Sequence, residues 1–236
     1  PAARLLKGPV YELRIYVANE NRFQHLIKRF RDHTDRIFRK HGLEPMGYWI
    51  TSEGRGSRGR RFVYVLKHPS RYAAYRNWNS FTRDREWEAV LDIPEFQRLL
   101  AEKPTSIFMT LNDYSAASRD AIDKAGGVYE LRTYVVNPGK LASLNARFRD
   151  HTTRLFTKHG IRNVGYWTPF DMPEAENTLV YLVHHASREQ ADASWMAFGR
   201  DPQWRKVARE SQVDGWILSK PPERIYLKPM AFSPLK

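Results

Sequence analysis

"RFRDHTDRIFRKHG", Arg29 to Gly42, recurs almost unchanged as "RFRDHTTRLFTKHG", Arg147 to Gly160. The match extends upstream, where "VYELRIYVAN" at Val10 to Asn19 answers "VYELRTYVVN" at Val128 to Asn137. Downstream, "GYW" at Gly47 to Trp49 returns at Gly165 to Trp167. The second copy is then one residue shorter. From there "VYVLKHPSR" at Val63 to Arg71 aligns with "VYLVHHASR" at Val180 to Arg188, Trp78 with Trp195, Phe81 with Phe198, and "RDREW" at Arg83 to Trp87 with "RDPQW" at Arg200 to Trp204. A repeat this long is a duplicated domain, not a short-period solenoid.

The 236 residues therefore divide into two domains of about a hundred residues each, long enough for a core of their own. The expected boundaries are 9–114 and 127–232, joined by a linker at 115–126 within the polar stretch "DYSAASRDAIDKAGG", Asp113 to Gly127. An apolar content of 42% is ordinary for a globular protein, and no apolar run approaches the ~18 residues of a membrane span. With no cysteine, disulfides, thiolate nucleophiles and thiolate metal sites are excluded.

The net charge of +13 raises the question of anionic partners. The densest basic run is "RGSRGRR", with Arg55, Arg58, Arg60 and Arg61, and its counterpart "DMPEAEN" at Asp171 to Asn177 is acidic. The run is thus a loop feature of one copy, a candidate contact for an anionic partner. No nucleic-acid-binding motif accompanies it, so RNA association is the weakest of the functional readings.

Each copy carries the same order of elements. "VYELRIYV" alternates β-branched and aromatic residues as a strand does. From Asn21 to Lys40, Phe23, Leu26, Ile27, Phe30, Ile37 and Phe38 recur mostly at helical spacing, and His41-Gly42 ends the helix. "PMGYWIT" and "RFVYVLK" read as strands. Ser70 opens a helical stretch to about Phe81, loosely broken near Asp92 to Pro94 and continued to Leu100, and "TSIFMTL" at Thr105 to Leu111 is the last strand. The order β-α-β-β-α-β is the ferredoxin-like unit, an α+β fold. In the first strand Tyr11, Leu13 and Ile15 share the face expected under the helices, and Glu12, Arg14 and Tyr16 the other, which a second sheet would cover. Two copies supply that sheet, so the tandem domains are expected to form an intrachain pseudo-dimeric α/β barrel.

"VYELRTYVVNPGK", the helix ending in "KHG", then "GYW", "VYLV", "ASR" and "RDPQW" resemble the NIPSNAP family in both copies, more closely in the second, since the first has "NEN" for "NPG" and "DREW" for "DPQW". The resemblance implies the dimeric α/β-barrel type of ferredoxin-like fold and, for eukaryotic members, mitochondrial roles in protein interaction and quality control. It brings no settled catalytic activity.

Candidate chemistry comes from the residues. Glu12 and Arg14, with Glu130 and Arg132, sit two apart on one strand face. They read either as buried ion pairs or as a small pocket in which arginine holds an anion and Tyr16 or Tyr134 orients it. His68 aligns with His185, and this pair is the best acid/base candidate. His33, His41, His151 and His159 lack the i, i+4 spacing of a helical zinc site, and the terminal pair suits the negative end of the helix dipole. No metal or cofactor is expected; the paired tryptophans read as core and sheet contact. The opening Pro1-Ala2-Ala3 fits a removed targeting segment or a trimmed start. The favoured expectation is a non-catalytic interaction protein, an accessory subunit of a mitochondrial matrix assembly, with a bacterial cytoplasmic protein as the alternative setting. A small-molecule-binding protein or enzyme with a pocket between the sheets is the alternative function.

Overall fold

The computed structural model describes residues 8–52, 60–115 and 126–235. They form two compact units, one of residues up to 109 together with 229 onward, the other of 110–228. In the first unit the order is β1 (Val10–Val17), α1 (Phe23–Arg29), α2 (Asp35–Lys40), β2 (Glu44–Thr51), β3 (Arg61–His68), α3 (Arg71–Thr82), α4 (Arg85–Asp92) and β4 (Thr105–Leu111). The second repeats it as β5 (Val128–Val135), α5 (Leu141–Arg147), α6 (Thr153–Lys158), β6 (Arg162–Pro169), β7 (Thr178–His185), α7 (Arg188–Arg200), α8 (Pro202–Glu210) and β8 (Glu223–Pro229). All pairings are antiparallel, in the order β4-β1-β3-β2 in one unit and β8-β5-β7-β6 in the other, the ferredoxin-like arrangement.

The quoted stretch is not one continuous α-helix. Between α1 and α2, Phe30–Thr34 forms a π-helical turn in which Asp35 N–H bonds to Phe30 O, and Phe148–Thr152 repeats it with Thr153 bonding to Phe148. The wider turn leaves a carbonyl free, and a threonine takes it: Thr34 Oγ1 donates to Arg29 O at 3.1 Å, Thr152 Oγ1 to Arg147 O at 3.0 Å. The inserted residue rotates the helix face, so Arg29 and Arg147 are buried beside phenylalanines. Each helix pair then closes in a Schellman turn: Gly42 and Gly160 adopt φ of +71° and +75°, and Leu43 and Ile161 donate back to Phe38 O and Phe156 O, both at 2.9 Å.

The stretch expected as one loose helix to Leu100 is two helices in each copy. Ser70 and Ser187 cap α3 and α7, accepting from Ala73 and Gln190 N–H, and Asp84 and Asp201 start new helices by accepting from Glu86 and Gln203 N–H at 2.7 Å. Beyond α4 the chain forms only a short 3-10 turn, Pro94–Phe96, because the proline at its start removes a donor.

The two capping aspartates are also where His41 and His159 go. Asp84 accepts from Lys40 at 2.7 Å and from His41, and Asp201 from Lys158 and His159, both at 2.7 Å. The lysine hydrogen bonds, then those of the histidines, hold both carboxyls well below the usual aspartate range. A depressed carboxylate pKa contributes stability that is fully present above the unfolded value of about 3.9 and lost as pH falls through the lower folded value. The double variant Asp84→Asn/Asp201→Asn is therefore expected to melt below the native protein at pH 7 and to lose less stability between roughly pH 4 and pH 2; an unchanged acid limb in thermal melts would contradict this.

The core of the first unit lies between helices and sheet, with Phe30 at its centre against Phe62 (4.5 Å between ring centroids), Tyr64 (5.4 Å) and Tyr16 (5.8 Å). Phe148 holds the same place in the second, against Tyr166, Tyr181 and Tyr134. Tyr16 lies on the strand face with Glu12 and Arg14, so that face is under the helices, the reverse of the expected assignment. The alternation is right but its polarity is inverted, because the helices bring tryptophan N–H groups and aromatic faces that accommodate the charges. Asp113 to Ser115, expected in the connector, pack in the second unit, where Ser115 Oγ accepts from Tyr166 N–H at 2.9 Å.

Candidate functional site

Glu12, Arg14, Tyr16 and His68 do come together. Glu12 is fully buried and accepts four hydrogen bonds, from Arg14 Nη1 (3.1 Å), Ser106 Oγ (2.7 Å), Trp78 Nε1 (2.7 Å) and His68 Nε2 (3.1 Å). Arg14 lies over the Trp78 ring at 5.0 Å and donates to Tyr16. In the second unit Glu130 accepts from Arg132 Nη1 (3.0 Å), Trp195 Nε1 (2.6 Å) and His185 Nε2 (3.0 Å), with Arg132 stacked over Trp195 at 4.2 Å. Burial pushes both carboxyls up, but the histidine hydrogen bonds and neighbouring arginine charges outweigh it, and both sit below the usual glutamate value.

An ionised carboxylate offers about four lone-pair sites, and Glu12 has all four filled. Glu12 and Glu130, each with its arginine and histidine, lie beneath the helices of their own unit as buried ion-pair knots. His184, next along β7, points to the other face and bonds Gly126 O at 3.0 Å. Nδ1 of His68 and of His185 has no partner among the described residues. Of the basic loop, Arg55 and Arg58 lie outside the described residues, while Arg60 and Arg61 are exposed. Among the described residues no three histidine or carboxylate side chains converge as a metal site would require.

An open space lies elsewhere in the second unit. Between its helices and sheet lies a cleft of about 460 Å³, within the usual range for small-molecule sites. Phe148, Phe156, Phe198 and Trp204 line its walls; Tyr134 and Arg147 supply polar groups; Trp216, Leu218 and Lys220 stand among its outer residues. Arg147 is 7% exposed, its guanidinium 5.3 Å from the Trp204 ring, and its one hydrogen bond among the described residues runs from Nη1 to Ser211 Oγ at a weak 3.4 Å. Its Nε has no partner and no carboxylate pairs with it among the described residues. Burial lowers its pKa from the ordinary arginine value, and a delocalised guanidinium keeps its charge even when buried.

Sequence reasoning missed Arg147 although it stands in the repeated motif. The signal was there: with Leu144 and Phe148 it forms an i, i+3, i+4 stripe, an arginine where helical periodicity calls for an apolar residue. The first unit has the same arginine, Arg29, buried over Trp87 at 5.1 Å. There the chain after α4 places Phe96 in the core, 3% exposed, whereas after α8 Val213 and Trp216 turn outward at 81% and 77%.

Fold and site together define a tandem ferredoxin-like α+β protein with an aromatic cleft in its second unit. The chain belongs to the NIPSNAP family, whose model matches residues 11–116 and 129–234. Among solved structures it is similar to a putative monooxygenase of Fusobacterium nucleatum (10% identity, TM-score 0.61, covering 98% of this chain and 100% of that one) and one of Lactobacillus acidophilus (14%, 0.56, 94% of each). A NIPSNAP domain protein of Burkholderia xenovorans is 26% identical over 45% of this chain and 98% of its own, at a TM-score of 0.39. A search of curated proteins finds no match.

Proposed function

We propose that this protein binds a small molecule in the cleft of its second unit. The observation that carries the reading is a space of about 460 Å³ walled by aromatic rings with a charged, nearly unbonded Arg147 in its lining. A filled core would have closed around the rings, since protein interiors tolerate few voids larger than a water molecule. The two whole-chain neighbours, named as putative monooxygenases, accord with a small-molecule role, but a fold hosts many functions and the site has to carry the claim. The same proposal keeps the intrachain pseudo-dimeric α/β barrel expected from the repeat, supported by the whole-chain overlap with those two folds.

Calorimetric titration with 2-naphthamide tests it. Saturable binding is expected, weakened about tenfold or more by Ala208→Trp, which fills the cleft from α8. No binding, or binding indifferent to the filling residue, would contradict it.

A second reading, the interaction protein of a mitochondrial assembly or a bacterial cytoplasm, draws on the family resemblance and on Tyr72 and Tyr75, exposed at 53% and 64% on α3. Solitary exposed aromatics are common, so the pair carries less than the cleft. No helix among the described residues is long and apolar enough to cross a membrane. If this reading holds, Tyr72→Ser/Tyr75→Ser is expected to release the protein from a larger native assembly on size-exclusion chromatography; native mass unchanged by the substitutions would contradict it.

A further inference from the structure

The cleft is not uniformly apolar, and its polar groups are of one kind. Arg147 carries five N–H donors and spends one on a weak bond to Ser211. The Tyr134 hydroxyl accepts from Tyr181 at 2.9 Å, and its own proton has no acceptor among the described residues. Both groups line the same space. A buried charge without a partner is costly, and a cation–π contact with Trp204 offsets only part of that cost.

The duplicated copy sharpens the point. Arg29 is as buried as Arg147, and Phe96 packs in the core beneath the same helices. In the second unit the corresponding segment leaves the space beside Arg147 open, and two donors face it.

Resting on the small-molecule reading above, we infer that the ligand is an aromatic molecule bearing one oxyanion, a carboxylate or phenolate, which the Arg147 guanidinium and the Tyr134 hydroxyl bind while Phe148, Phe156 and Trp204 pack its flat body. Arginine suits this role because its planar fork meets an oxyanion through two parallel hydrogen bonds and remains charged when buried. The general basicity of the chain attracts anions too, but it cannot distinguish one of 39 cations from the rest.

The test compares two probes of the same shape, 2-naphthoate and 2-naphthamide, by calorimetric titration of the full chain and of Arg147→Met. Methionine is similar in length and removes the buried charge together with its weak Ser211 bond and its contact over Trp204, a net change expected to leave the fold about as stable. The native chain is expected to bind the anion about tenfold or more tightly than the amide, the scale of a charge-assisted hydrogen bond. Arg147→Met is expected to lose that preference, its affinity for the anion falling to that for the amide, and Tyr134→Phe to lose a smaller part of it. Equal binding of both probes by the native chain, or an anion preference that survives Arg147→Met, overturns the oxyanion while leaving the cleft; failure of both probes to bind overturns the small-molecule reading itself.

Discussion

Glu130→Ala is expected to destabilise the second unit by about 3–5 kcal/mol, the scale of breaking a buried ion pair by removing one partner. Glu130 is fully buried, and without its carboxylate Arg132, His185 and the Trp195 indole N–H all lose their acceptor at once. Glu130→Gln keeps an oxygen for one or two of these donors and is expected to cost less, but it leaves the Arg132 charge uncompensated. The contrast separates charge from shape. Thermal melts of the two variants, with tryptophan emission as the readout, would show the order native, glutamine, alanine; a small effect of both would mean the knot is solvated and the carboxylate dispensable.

Gly165→Ala is expected to be destabilising by up to about 3 kcal/mol, the overpacking scale, although alanine favours neither helix nor turn there and the φ angle is unremarkable. The cause is the residue two positions on. A Cβ at Gly165 would lie 2.3 Å from Trp167 Cη2 and 2.5 Å from Cζ2, because the rigid indole folds back over the strand where β6 shifts register between Asn163 and Gly165. Trp167 is 1% exposed and has nowhere to move. Gly47 stands in the same relation to Trp49, at 2.3 Å, so Gly47→Ala should match it and the double variant should approach the sum. Gly199→Ala is the control: its added Cβ meets nothing within 4 Å, it sits inside α7, and it is expected to stabilise by about 0.5–1 kcal/mol. Denaturant midpoints of the variants decide the matter.

These effects explain what the sequence made legible. The repeat of "GYW" is visible by eye, and so are the ferredoxin-like element order, the placing of Glu12 with Arg14 on one strand face and the alignment of His68 with His185. What alternation could not supply was which face the helices cover. "ELRIY" offers an apolar face of Leu13 and Ile15 and a polar one of Glu12 and Arg14, and burial rules favour the first beneath helices. The structure reverses this because Trp78 and Trp195 reach down from α3 and α7 with an N–H for the carboxylate and a ring for the arginine. The π-helical turn was hidden because Phe30 and Ile37, seven residues apart, keep ordinary helical spacing, and the bond of Thr34 to Arg29 O exists only once the turn has widened.

The cleft was the least legible feature. Its aromatic residues, Phe148, Phe156, Phe198 and Trp204, have counterparts in the first copy and read as core in both. What differs is the segment after the last helix, where "DIPEF" in the first copy buries Phe96 and "SQVDGW" in the second exposes Val213 and Trp216. That substitution changes the fate of one buried volume without altering the repeat around it, and no periodicity reports it.

The most direct measurement is a crystal structure of the full chain grown with 2-naphthoate. The account predicts one molecule in the second unit, its carboxylate within hydrogen-bonding distance of Arg147 and its rings against Trp204. An empty cleft with Trp216 folded into it, or the probe seated with its carboxylate away from Arg147, would contradict the account.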